Sequence, residues 1–323
     1  MSKSALILPV IFFLTMSAVL GETQLSIGIN TRVISAPTYI VTILMENHPL
    51  NTTLNSNGVI GNPNASYITS LARNASLAEN YVAVANLNSL PNYIALTGGN
   101  KSLVPNNCLP LLCPVNTPNI ADRIEMSGRD WKAYMEDLLP GQPCTYSGPG
   151  SGHYDIFHNP FVYYSDVQDN ATRCSSHVVP ANSGPSGPPD DLFINDLNNL
   201  TTASNFMWLT PNNCDDMHGG SGCPSSIMTF SDNYTRQLVP KILSSLVFKT
   251  GKAALFIVWD EPTTCTVSCP IPAIWVGPTV KPHYVSNNGY NHYSYLSTLE
   301  SLWALPILTP NDAKAPSMIE FFL

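Results

Sequence analysis

Two short pairs of oxygen-bearing side chains and one serine hydroxyl carry most of the chemistry this sequence can offer. Glu46-Asn47 stands directly after the apolar run TYIVTILM (residues 38–45), and Asp260-Glu261 directly after AALFIVW (residues 253–259). Ser89 stands where a polar loop, Asn86 to Asn88, meets a stretch of helical pattern that begins at Pro91. Asp216 and His218 follow a third apolar run, NFMWL, after a short loop containing a cysteine, and His292 precedes the last helical stretch. Four oxygen donors from two strand ends suit a divalent cation. Such a cation would depress the pKa of a nearby hydroxyl and make Ser89 a nucleophile. Helix amides beyond Ser89 would draw an anionic phosphoryl group to the same place. His218 and His292 titrate near neutrality, so either could bind phosphate oxygens or protonate a leaving alkoxide.

Each residue also has a plainer role open to it. A carboxylate after a strand is often a turn former or a helix cap, Ser89 could be an ordinary N-cap, and His158, in HNPF, could be a satisfied loop histidine. No single spacing here is a self-sufficient motif. The Gly-x-Ser-x-Gly elbow of serine esterases is missing around Ser89, which argues against a Ser-His-Asp hydrolase.

Strands are expected over residues 38–45, 81–84, 130–134, 205–209, 253–259 and 271–276. Helices are expected over 66–77, 91–97, 120–127, 230–248 and 293–302, and a long loop rich in Pro, Gly and Ser over 140–190. Strands alternating with helices imply a mainly parallel sheet covered on both faces. In such sheets ligands bind beyond the carboxyl ends of the strands, which is where the two pairs and the Asp216 loop fall. No internal repeat or linker divides the chain, so residues 36–323 read as one domain.

Composition narrows the class. Of 323 residues, 44% are hydrophobic, enough for a sizeable core, and the net charge is −8. No basic block occurs, so a phosphate-tracking nucleic-acid groove is not expected. Residues 1–21 have the short positive start and apolar run of a secretory signal, with 22–35 as a lead-in; the alternative is an uncleaved N-terminal anchor, the only membrane contact the sequence suggests. The eight cysteines form four close pairs in sequence, Cys108 with Cys113, Cys144 with Cys174, Cys214 with Cys223 and Cys265 with Cys269. In an exported chain an even count suggests disulfides, whose connectivity sequence does not fix. Seven Asn-x-Ser/Thr sequons, starting at Asn51, Asn64, Asn74, Asn100, Asn170, Asn199 and Asn233, fit a secreted glycoprotein.

Taken in order, the segments VTILMENH, NSLPNYIALTGG, DWKAYMED, HNPFVYY, LTPNNCDDMHGGS, ALFIVWDE and YNHYSYLSTLESLWALP resemble the phosphoesterase family that contains acid phosphatases and phospholipases C, within the alkaline-phosphatase-like superfamily. The likeness runs from about residue 38 to residue 306. It implies a three-layer α/β/α sandwich with a mainly parallel central sheet. It implies a divalent metal (Ca, Mg, Mn or Zn) held by Glu46, Asn47, Asp260, Glu261 and Ser89, with Ser89 as nucleophile through a phosphoserine intermediate. His292, in preference to His218, is the implied acid; His158, Lys132 and Asp216 are assigned to the substrate phosphate. The implied partner is a small phosphate ester. Phospholipase members carry added C-terminal domains, so an acid phosphatase acting on monoesters is expected over a phospholipase C; a non-catalytic surface glycoprotein is the third reading.

Overall fold

The computed structural model describes residues 35–53, 56–141, 153–184, 190–262, 265 and 268–323. The signal segment, nearly all of the lead-in and Cys144 lie outside the described residues.

The two runs that precede these pairs form the centre of the sheet. β1 (Tyr39–Met45) and β7 (Ala253–Trp259) pair in parallel with Met45 opposite Trp259. Ile40 to Met45 and all of β7 are buried. Side chains alternate between faces along a strand, so continuous burial means that both faces of the sheet are covered. The other strands are β2 (Ser76–Ala78), β3 (Tyr81–Val82), β4 (Trp131–Met135), β5 (Val178–Pro180), β6 (Phe206–Thr210), β8 (Ala273–Val276), β9 (Tyr284–Ser286) and β10 (Tyr290–Asn291). Eight of them form one sheet in the order β5-β4-β6-β1-β7-β8-β2-β9. Only β8 runs against the rest, antiparallel to both β7 and β2. β3 and β10 pair separately, in parallel.

The covering helices are α1 (Ser66–Asn74), α2 (Ser89–Gly98), α3 (Ile120–Met126), α4 (Ser165–Gln168), α5 (Ala171–His177), α6 (Asp191–Leu197), α7 (Ile227–Leu243), α8 (Leu246–Lys249), α9 (His292–Trp303) and α10 (Pro310–Lys314). α1, α6 and α8 pack on α7, whereas α2 and α10 pack on α9. α9 is tied to the sheet where the Tyr295 and Thr42 hydroxyls meet at 2.6 Å. The expected three-layer, mainly parallel α/β architecture is the one observed.

Two expectations are corrected. The helix expected over 66–77 ends at Asn74, because Ser76 to Ala78 extend to pair with β8 and β9. Within 140–190 the described residues are not plain loop: short helical turns at Ile156–His158 and Pro160–Tyr163, then α4, α5 and β5, pack against β4 and α2. Disulfides join Cys108 to Cys113, Cys214 to Cys223 and Cys265 to Cys269.

Candidate active site

The register of β1 and β7 sets the site. One residue past the Met45–Trp259 pair, the chain presents Glu46 beside Asp260, and the Asp260 N–H donates to Met45 O at 2.9 Å. Asn47 takes a left-handed turn, φ 62°, that an Asn tolerates, and its N–H donates to Asp260 Oδ1 at 3.0 Å. On the other flank β6 lies parallel to β1, and its following loop returns so that the Glu46 N–H donates to Asp216 O at 2.8 Å. Four carboxylates, Glu46, Asp216, Asp260 and Glu261, are thereby buried at one edge of the sheet.

Ser89 enters from α2. It is the first residue of the helix rather than its cap, which is Asn88. Its Oγ donates to Glu46 Oε2 at 3.1 Å. One turn further, on the same helix face, the Tyr93 hydroxyl donates to Glu46 Oε1 at 2.6 Å. The buried Asn92 side chain accepts from Val84 N and Ala85 N and donates to Ala85 O and Asn88 O, clamping the loop that delivers Ser89. The Glu261 carboxylate accepts from Asn88 N at 3.3 Å, so the second pair also holds that loop. Sequence reasoning missed Tyr93 and Asn92; their i+4 and i+3 spacing from Ser89 was the available signal. Just beyond Ser89 the helix offers no spare amide: the Leu90 N–H is taken by Asn107 Oδ1 at 3.0 Å, and Pro91 has none.

The histidines divide. His158 lies between two carboxylates, Nε2 3.4 Å from Glu46 Oε1 and Nδ1 3.3 Å from Asp216 Oδ2, and its ring stacks on Tyr93. Those are ion-pair separations rather than tight hydrogen bonds. Burial opposes a charged imidazole here, but Asp216, through contact and charge, outweighs it and raises the His158 pKa. His218 is exposed. Its Nδ1 faces Gly219 O at 2.9 Å, so Nδ1 carries the proton and Nε2 is the nitrogen left for other chemistry. Ligand atoms of Glu46, His158 and His218 all fall within 4.8 Å of one another.

His292 differs from its expected role. Its Nε2 donates to Asp260 O at 2.7 Å and its Nδ1 accepts from the Tyr81 hydroxyl at 3.1 Å. Burial lowers its pKa to about 4. With both ring nitrogens engaged, His292 holds the backbone of Asp260, and its one proton is spent on that carbonyl. Lys132 also departs from expectation. It is the second residue of β4, away from the carboxyl edge, and its Nζ pairs with Asp196 Oδ2 at 2.9 Å. Asp216 contacts His158 Nδ1 and the His218 N–H, and its charge acts on Glu46, so as an anion it would repel a phosphate dianion and suit a cation instead.

The electrostatics favour a cation strongly. Burial, then the charges of Asp260 and Asp216, push the Glu46 carboxyl well up, with Tyr93 opposing. Burial raises Asp260 to about 6, and burial together with the Asp260 charge raises Glu261 to about 8. Asp260 Oδ2 is buried with no hydrogen-bond donor, beside the Glu46 carboxyl. Buried carboxylates in this number need protons or a bound cation. The donor set, carboxylate oxygens with imidazole nitrogen at one side, fits a divalent metal. Near the Ser89 loop a cavity of about 360 Å³ is lined by Asn86, Asn88, Pro91, Lys101 and Ser102, among others.

Solved structures share this mainly parallel α/β sandwich. A protein in the alkaline phosphatase superfamily from Vibrio parahaemolyticus matches with a TM-score of 0.57 and 14% identity, over 86% of this chain and 70% of that one. The phosphonate monoester hydrolase of Silicibacter pomeroyi matches with a TM-score of 0.54 and 12% identity, over 88% of this chain and 76% of that one. These likenesses speak to the fold. The chain itself belongs to the phosphoesterase family, whose pattern covers residues 45–306. It is 26% identical over 260 residues to the phosphate-repressible acid phosphatase of Penicillium chrysogenum, spanning 77% of this chain and 57% of that protein. It is 28% identical over 251 residues to the phosphatidylinositol-3-phosphatase of Mycobacterium tuberculosis, spanning 77% of this chain and 73% of that one.

Proposed function

We propose that the protein is an exported phosphatase that hydrolyses phosphate monoesters through a phosphoserine at Ser89. The observation that carries this reading is the contact of the Ser89 hydroxyl with Glu46, inside a buried carboxylate cluster at the sheet edge. Phosphatase relatives favour a monoester over a diester, and disulfides suit an oxidising, extracellular setting.

Glu46, Asp260, Glu261 and Asp216 would hold a divalent cation, with Asn47, Ser89, His158 and His218 at its margin. When bound, that cation supplies Lewis-acid polarisation and lowers the barrier to deprotonating a hydroxyl. Glu46 orients Ser89, and Tyr93 fixes Glu46. Ser89 Oγ passes its proton to the Glu46 carboxylate and forms a bond to phosphorus as the ester P–O bond breaks, and the departing alkoxide takes a proton. His218 would give it from Nε2 with both ring nitrogens protonated, Nδ1 being held by Gly219 O. Water then attacks the phosphoseryl phosphorus and passes a proton to His218, and the P–Oγ bond breaks as Ser89 takes back the proton held by Glu46. His158, between Glu46 and Asp216, would offset charge on the phosphoryl oxygens when protonated.

The test is p-nitrophenyl phosphate hydrolysis by purified protein before chelation, after it, and after metal restoration, with Ser89→Ala in parallel. Activity should fall with chelation and return with metal. Ser89→Ala should lose about a thousandfold or more in kcat while keeping its circular dichroism. A variant that retains half its activity would remove Ser89 from the mechanism.

A further inference from the structure

The loop that delivers Ser89 is strained. Leu87 takes a left-handed turn, φ 61°, and is 68% exposed. A residue with a Cβ persists in that conformation only where its surroundings impose it. The helix that follows has no cap of its own. Asn88 stands at the N-cap of α2, and Asn is among the best residues for that task, yet its side chain makes no capping bond.

A strap from a later part of the chain supplies what is missing. Asn107 Oδ1 accepts the Leu90 N–H at 3.0 Å, the bond that an N-cap side chain normally takes. In return the Asn107 N–H donates to Asn88 Oδ1 at 3.4 Å. The two asparagines, 19 residues apart, thus exchange bonds in the reciprocal manner of a capping box. The same strap grips the loop earlier, where Lys101 Nζ donates to Val84 O. Its far side is tethered as well: the Cys108–Cys113 disulfide follows Asn107 directly, and the Tyr163 hydroxyl donates to Cys108 O at 2.7 Å. Asn107 is exposed, so water competes for its bonds, and the tethers on either side keep it in place.

We propose that Asn107 is a positioning residue for Ser89, acting through the first turn of α2, and that the Cys108–Cys113 bridge holds it there. The proposal rests on the reading of Ser89 as nucleophile. With the cap in place, the first turn stays wound and Ser89 Oγ stays 3.1 Å from Glu46 Oε2. Without it, the strain at Leu87 is relieved by fraying that turn, and the hydroxyl leaves its carboxylate. A misplaced nucleophile costs turnover rather than substrate binding.

The experiment uses the full chain, p-nitrophenyl phosphate and amide hydrogen exchange. Asn107→Ala should lower kcat about fivefold or more with KM held within about twofold. It should also speed exchange of the backbone amides of residues 85–93. Asn107→Asp keeps the acceptor oxygen and should recover most of the lost kcat. Cys108→Ser with Cys113→Ser leaves Asn107 in the chain but frees its tether, and should lower kcat and speed the same exchange. Should Asn107→Ala fail to fold, this double variant decides. An unchanged kcat or unchanged exchange in Asn107→Ala overturns the proposal, as does a loss that Asn107→Asp does not recover or that falls on KM instead. Full kcat in the double variant removes the tether. Ser89→Ala tests the underlying reading separately: full activity there removes the nucleophile, whereas an inactive Ser89→Ala beside a fully active Asn107→Ala removes only the positioning.

Discussion

Ser89 and Tyr93, one helical turn apart, donate to the two oxygens of a single carboxylate, Glu46, at 3.1 and 2.6 Å. The tyrosine thus sets the rotation of the carboxylate that orients the serine. A hydrogen bond to a charged acceptor contributes about 1.5–3 kcal/mol. Tyr93→Phe should therefore lower kcat/KM about tenfold or more. It should also move the acidic limb of the pH profile upward, because Tyr93 holds the Glu46 pKa down. An unchanged pH profile in this variant would mean that Tyr93 only fills space.

His218 and His292 should separate by leaving group. His218→Ala should cost about 10²–10⁴-fold on alkyl phosphates, the range of general acid catalysis. The loss should be much smaller on p-nitrophenyl phosphate, whose phenolate departs with little protonation. His292→Gln should reduce both substrates alike, because His292 supports the Asp260 backbone. Equal losses on both substrates for His218→Ala would return the acid role to another group.

The acidic cluster predicts an unusual pH dependence of stability in the metal-free protein. Asp260, raised to about 6, and Glu261, raised to about 8, hold protons in the folded state that the unfolded chain has already released. Their stabilisation is complete below about pH 4 and is lost as pH rises through those values. The chelated protein should melt lower at about pH 8 than at about pH 5, and Asp260→Asn should flatten that slope. A slope as steep in Asp260→Asn as in the parent would show that other groups carry it.

The disulfide Cys214–Cys223 closes a short loop, nine residues apart in sequence, that contains Asp216 and His218. Replacing both cysteines by serine should cost about 2–3 kcal/mol and lower activity by loosening those two side chains. Calorimetry with a parallel assay measures both, and full activity in the double variant would make the bridge purely a stabiliser.

Lys132 supplies the control. Its ion pair with Asp196 is partly exposed, with side chains 20% and 23% accessible. Lys132→Ala should change stability by about 1 kcal/mol or less and leave kcat/KM within about twofold. A large loss of activity would place Lys132 nearer the substrate than the structure does.

The polar pairs after residues 45 and 259 and the serine before Pro91 were legible because each follows or opens a strongly patterned element. Period and composition alone identify β1, β7 and α2, and strand ends are where an α/β sheet presents ligands. The alternation of strands and helices likewise determined the layered, mainly parallel architecture. What only the tertiary structure decided was which side chains face one another. Sequence distance carries no information about the parallel register that sets Glu46 beside Asp260, or about the return of the Asp216 loop to meet it. The fates of the histidines and of Lys132 were equally hidden. Whether an imidazole is spent on a backbone carbonyl, as in His292, or left open, as in His218, depends on neighbours from other elements. Hydrogen bonds and burial are pairwise properties, fixed only once distant segments have packed.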